Sequence, residues 1–350
     1  MTVSPFDHRL LAGLLGDGEV AAWFSVAAEL HAILDFERAL ASAEAELGII
    51  PTTAGAAIAA ALDGFAPDTA ALRAATARDG VVVPELVRQV RHAVGEPHAR
   101  HVHFGATSQD VIDTGLMLRL KSVLAIFEAR LDAIVAGFGD LESRFGSGQL
   151  TAFTRMQPAI VIPVRGRIEP WRRPLERHRE RLREQTPRLL TIQFGGAAGT
   201  LDALGEAGPA VRASLAARLG LADAPQWHSR RDTLAEFASW LSLVTASLGK
   251  FGQDIALMAM DGSVIRLSGG GGSSAMPHKQ NPVKAEALET LARFNATQVG
   301  AMHQAAIHPL ERSGAAWTLE WLVLPQMVVA TGAALRLAGE LIGDIEAMGN

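Results

Sequence analysis

From Ser108 to Phe145 the chain runs without a proline, and Ile112, Leu116, Leu120, Leu124, Phe127 and Leu131 recur at helical spacing. At ~1.5 Å per residue such a helix is more than ~50 Å long, well beyond the ~30 Å of a small domain. A rod of that length needs partners of similar length to cover it. The sequence supplies them in Val20–Leu47 (stopped by Gly48 and Pro51), Asp232–Met260, Pro282–His308 and Trp317–Met348, the last interrupted by Pro325. Shorter helical pieces, Thr53–Leu62, Asp68–Ala77 and Pro84–Val94, are each bounded by Gly or Pro. Strand-like alternation is scarce, with Ala159–Val164 the best short candidate. The pattern predicts an all-α protein, an elongated bundle of long helices, with an N-terminal helical domain over 1–100 and a central bundle over 101–350.

Composition agrees. Of 350 residues 49% are hydrophobic but only 5% aromatic, so the core is mostly Ala, Leu and Val, which suits helices packed closely along their length. Phe237–Leu248 is apolar nearly all round, which predicts burial or oligomeric packing. A net charge of −5 argues against a protein that wraps nucleic acid. The absence of cysteine excludes disulfides, thiolate metal sites and a cysteine nucleophile. No stretch of 18 uncharged residues exists, and Asp7, His8 and Arg9 precede any apolar run, so neither a membrane span nor a signal peptide is expected and the location expected is cytoplasmic.

Three segments carry possible chemistry. Leu267–Lys284 reads LSGGGGSSAMPHKQNPVK. Its four glycines and two serines have the composition of a flexible linker, and the Gly-Lys-Ser/Thr ending of a phosphate loop is missing. Asn281–Pro282, however, reads as an N-cap and first helical turn, where free N–H groups favour an anion, and Lys279 adds a full charge. A serine in such a loop, Ser273 or Ser274, becomes acidic when backbone N–H groups point at its oxygen. In His101–Thr114, Thr107 and Asp110 form a capping box for the longest helix, and a second anion site is expected there. His98, His101 and His103 lack a completing ligand for a metal, so contact between one of them and an anionic substrate is the better reading. Thr154–Gln157, TRMQ, offers Arg155 for bidentate pairing with a carboxylate. Nine arginines and four glutamates between Arg165 and Arg188 read as a salt-bridged helix face, with RNA binding the minor alternative.

Together these segments resemble the fumarase/aspartase superfamily, whose signature is GSSAMPHKQNP at Gly272–Pro282, accompanied by HFGATSQD and TRMQ. QFGGAAGT (Gln193–Thr200), QWHSRRDTLAEF (Gln226–Phe237) and ERSGAAWTLEW (Glu311–Trp321) resemble the bacterial 3-carboxy-cis,cis-muconate cycloisomerases more closely. The resemblance implies a homotetramer whose active sites are each assembled from three subunits, with no cofactor or metal, no nucleic acid and no membrane. It implies Ser273 as the proton-transfer residue, Lys279 and Asn281 as a carboxylate clamp, and His103, Thr107, Ser108, Arg155, Gln157, Gln193 and Arg312 as substrate contacts. The substrate implied is a small tricarboxylate of protocatechuate (β-ketoadipate) breakdown.

Two departures stand out. The chain ends at Asn350, after its last long helix, so the extra helical C-terminal domain of most relatives is not expected. Adenylosuccinate lyases, argininosuccinate lyases and fumarases carry a histidine where this chain has Arg155. Amine or hydroxide leaving groups require an acid. In a muconate cyclisation the nucleophile is the substrate's own carboxylate, with a pKa near ~4 like Glu, so it is ionised at neutral pH and needs no base. An arginine in place of the histidine suits that chemistry. The remaining alternatives are a sulfonated muconate, a superfamily lyase releasing a dicarboxylate such as fumarate, and a catalytically silent helical tetramer.

Overall fold

The computed structural model describes residues 4–276 and 278–350, and their regular structure is mostly helical. Long helices carry the architecture: α1 (Val26–Glu46), α2 (Ser108–Phe145), α3 (Val164–Leu189), α4 (Asp232–Asp261), α5 (Val283–Ala305) and α6 (Gly314–Asp344). Helices α2, α4 and α6 run parallel, while α3 and α5 return between them. Ion pairs fix the α2–α3 direction, with Arg172 meeting Glu142, Arg179 meeting Asp132 and Arg183 meeting Glu128 at 2.6–2.8 Å. With Arg173–Glu169 and Arg188–Glu236, these pairs make the arginine-rich stretch a salt-bridged helix face.

The core is built as the composition predicts. Trp171, Phe138 and Phe251 join α3, α2 and α4, Phe251 meeting Phe138 and Trp171 edge to face with centroids 5.0 and 5.1 Å apart, and the Trp171 indole N–H donates to Asp254 at 2.7 Å. Between α4 and α5 the backbones come so close that a Cβ at Gly249 would sit 2.5 Å from the Ala292 methyl. Helix α6 is long and apolar enough to cross a membrane by length and composition, but 72% of its most apolar window is buried inside the protein. That apolar surface is core surface here.

Several boundaries differ from the sequence expectation. Val20–Leu47 is two helices, Gly18–Ala22 and α1, because Ser25 caps the second by accepting the Ala28 N–H at 3.2 Å. Helix α6 passes through Pro325 and stops at Asp344. Ile345–Met348 (β4) then pairs antiparallel with Ile265–Leu267 (β3). The expected strand is real: β2 (Gln157–Pro163) pairs with β1 (Gln149–Thr154) in a hairpin.

This topology gives the bundle two poles. At the head lie the N-termini of α2, α4 and α6. At the tail, Val264 and Gln149 share backbone hydrogen bonds with Gly349 and Asn350, gathering the base of the β1–β2 hairpin and the start of the glycine loop. The 30 residues of α4 separate the poles by about 45 Å.

Candidate active site

The head is a dense polar lattice. Thr107 precedes the first residue of α2 and its N–H donates to Asp110 Oδ2 at 3.0 Å, the backward half of a capping box. Asp110 also does a second job. Fully buried, it accepts the N–H groups of Gly195 and Gly196, each at 2.9 Å, and its Oδ1 lies 2.7 Å from His228 Nε2. This pins the QFGG segment against the helix start. Gln193 is fixed next to it: its backbone exchanges hydrogen bonds with the Thr114 hydroxyl, and its side-chain oxygen accepts the Trp227 N–H at 2.6 Å. The Gln193 amide nitrogen is buried with no partner among the described residues.

One helical turn deeper, the fully buried Arg231 bridges Asp113 (2.6 and 3.1 Å) and Glu320 (2.9 and 2.5 Å), and its guanidinium lies 4.6 Å from the Trp227 ring centre. Burial works against the charge, but the two carboxylates outweigh it and hold the guanidinium above its ordinary value. Three buried carboxylates thus sit near the starts of two parallel helices: Asp110 in the first turn of α2, where the helix dipole favours negative charge, and Asp113 and Glu320 one turn further in. Gln109 lies in the same layer and accepts from Arg312 Nε at 2.9 Å, while Arg312 Nη2 donates to Ala197 O at 3.2 Å.

Beside this layer, His103 Nδ1 lies 2.6 Å from Glu37 Oε1. Burial alone would lower its pKa. The Glu37 charge and hydrogen bond, with Asp110 behind, win and raise it. Glu44, two turns on from Glu37 in α1, is wholly buried, and neither carboxylate oxygen has a partner among the described residues. Burial, then the Glu37 charge, push its pKa up to about 9.

The tail is built differently. The glycine loop is closed at its neck, where Gly271 and Asn281 exchange backbone hydrogen bonds at 2.8 and 2.9 Å and the Asn281 amide donates to Gly271 O at 3.2 Å. Asn281 therefore ties the loop rather than capping α5, which starts at Val283 with no side-chain cap. Inside the loop the Ser273 hydroxyl oxygen accepts the N–H groups of Ala275 (3.3 Å) and Met276 (3.1 Å). Ser273 is half-buried and Lys279 exposed; Pro277 of the same motif lies outside the described residues. Arg155 and Gln157 stand exposed at the tip of the β1–β2 hairpin, where Arg155 and Met156 form the two-residue turn.

Backbone strain marks the same segments. Among the described residues, non-glycine positive φ occurs at His103 (62°), Arg155 (49°), Met156 (64°), Leu201 (55°) and Leu310 (55°). Each lies in, or within two residues of, a segment singled out from the sequence, at a cost of about 1–2 kcal/mol per residue.

One chain thus brings together His103, Thr107, Ser108, Gln193 and Arg312 at the head and leaves Ser273, Lys279 and Asn281 at the other pole. Sequence reasoning missed Glu37, Gln109, Asp113, His228, Arg231 and Glu320. The available signal was polarity in the wrong place: Gln109, Asp110 and Asp113 interrupt a helix face that is otherwise buried. No group of three or more His, Asp or Glu side chains among the described residues could hold a metal ion.

A family model described as lyase matches residues 19–296. The chain is 43% identical over 335 residues to the 3-carboxy-cis,cis-muconate cycloisomerase of Pseudomonas aeruginosa, covering 93% of this chain and 72% of that relative. The crystal structure of 3-carboxy-cis,cis-muconate lactonizing enzyme from Pseudomonas putida matches with a TM-score of 0.90 at 37% identity, over 97% of this chain and 77% of that one. A fumarate lyase from Mesorhizobium sp. BNC1 matches at 0.89 and 32% identity, over 95% and 76%. The chain belongs to this lyase family, the fumarase/aspartase superfamily.

Proposed function

We propose that the chain is a cycloisomerase, an intramolecular lyase that closes 3-carboxy-cis,cis-muconate to 4-carboxymuconolactone in protocatechuate breakdown. The observation that carries this reading is the 43% identity to a relative of that name across 93% of the chain, in a sequence that keeps the serine loop whole. In the reaction a substrate carboxylate oxygen adds to the ring-closing alkene carbon. The electron pair moves toward the activating carboxylate as an aci-carboxylate, and one proton is delivered to the carbon beside it. Atoms balance with no co-reactant, and the reaction calls for no cofactor. Ser273 is the proton donor. The two N–H groups aimed at its oxygen stabilise the alkoxide left behind. Lys279 and Asn281 hold the activating carboxylate. His103, paired with Glu37, and Arg155, Arg312, Thr107, Ser108, Gln157 and Gln193 take the remaining anionic groups.

The site is shared between subunits of a cytoplasmic homotetramer. Supporting this, the two sets of residues stand about 45 Å apart along α4 in one chain, a gap only other copies can bridge. The hairpin that carries Arg155 also leaves Phe153, Met156, Ile160 and Val161 exposed, an apolar face suited to a neighbour. The match to a fumarate lyase favours a second reading, release of a dicarboxylate; Arg155, which cannot act as an acid for a leaving group, weighs against it.

A continuous ultraviolet assay on 3-carboxy-cis,cis-muconate, without added metal, tests the reading. Loss of diene absorbance with wild type but not Ser273→Ala is the expected result. No turnover by a folded tetramer moves the assignment to a sulfonated muconate, and silence on both substrates overturns it.

A further inference from the structure

Arg312 is exposed, yet its guanidinium is not free to swing. Of its five N–H donors, Nε donates to Gln109 Oε1 (2.9 Å) and Nη2 to Ala197 O (3.2 Å). One edge is thereby tied down, and three N–H groups on the other are left for an anion. Gln109 is wholly buried and committed on both ends: its amide nitrogen donates to Asp113 Oδ2 (3.2 Å) and to His228 O (2.9 Å). Asp113 is itself locked by Arg231 and by the Trp317 indole at 3.0 Å. Ala197, the other anchor, follows the Gly195–Gly196 pair held by Asp110. Both anchors of Arg312 therefore lead back to adjacent residues in the first turn of α2.

We propose that Gln109 is a positioning residue that sets the orientation of Arg312 toward a substrate carboxylate, with Asp113 and Arg231 fixing Gln109 from behind. The proposal rests on the reading of Arg312 as an anion contact. A guanidinium held by one edge presents a fixed pair of donors to a carboxylate, so less freedom is lost on binding. Its effect should fall on binding, since Gln109 touches neither the reacting carbon nor Ser273.

The test is a double-mutant cycle with Gln109→Met and Arg312→Ala. Gln109→Met is expected to raise KM about tenfold while kcat stays within about twofold, and to add nothing to KM in the Arg312→Ala background. Gln109→Asn, which keeps a buried amide but withdraws it from Arg312, should reproduce the KM rise with a melting temperature near wild type. Equal KM in wild type and Gln109→Met, or the same rise with Arg312 absent, overturns the proposal. So does loss of folding in both Gln109 variants, which would assign the residue to the core alone. Wild-type turnover separately decides the proposed function. Should it fail, the cycle is read by calorimetric binding of propane-1,2,3-tricarboxylate, where the same tenfold pattern supports the positioning role and its absence refutes it.

Discussion

The two poles of the bundle are held by different physics. At the head, buried carboxylates in the first two turns of α2 and α6 each accept at least two N–H groups from distant parts of the chain, so that Thr107, Ser108, Gln193 and Arg312 rest on a hydrogen-bonded platform. At the tail, the loop carrying Ser273 is fastened at its neck and otherwise bonded mainly to itself. Removing a charged member of the platform leaves its buried partners unpaired, whereas a side chain in the loop can be removed with no such cost. The rigid anion-binding pole and the proposed proton-transfer loop are thus separated along the length of one helix.

The largest expected effect sharpens this contrast. Ser273→Ala should lower kcat by about 10³-fold, within the range for a lost proton donor, with a melting temperature unchanged in parallel calorimetry. The opposite profile is expected at the head. Arg231→Met leaves Asp113 and Glu320 buried without their cation and should cost about 3–5 kcal/mol, read from the urea midpoint. A midpoint equal to wild type would mean that the head is not the rigid end.

Next comes pH. Glu44 has a folded pKa raised above its unfolded value, so the folded state holds the proton more tightly. Its stabilising contribution is complete below the ordinary value of 4.5 and is lost progressively as pH rises toward about 9. His103, also raised, works in the same direction from its ordinary value of 6.5 upward. Wild type should therefore lose stability between pH 5 and pH 9. Glu44→Gln, neutral throughout, should be more stable than wild type by a few kcal/mol at about pH 8 and show a flatter profile in urea titrations across that range. A smaller effect is expected at the hairpin. Met156→Gly relieves a left-handed residue at a turn position that favours glycine and should add about 0.5–1 kcal/mol with turnover kept. Arg155→Asn should preserve folding while raising KM.

Much of the fold was legible in the sequence because its signals are local: apolar periodicity, Gly and Pro stops, and one short run of strand-like alternation. The misread boundaries had local causes too, a Ser25 cap inside an alanine-rich run and a proline that α6 accommodates. Asn281 was misread because an Asn-Pro step looks alike whether it caps a helix or closes a loop. The Arg231–Asp113–Glu320 bridge could not be read at all. Its members lie 89 and 118 positions apart along the chain, and only the parallel alignment of three helix starts brings them together.

The distance between the poles carries a genetic consequence. Under the proposed assembly, an allele damaged at Ser273 and one damaged at Arg312 each yield impaired protein, yet mixed oligomers contain some sites that draw an intact loop from one product and an intact head from the other. Two such alleles of this gene should therefore complement each other when co-expressed, whereas either one mixed equally with wild type removes half of the sites however the subunits combine, because each site takes that element from a single subunit.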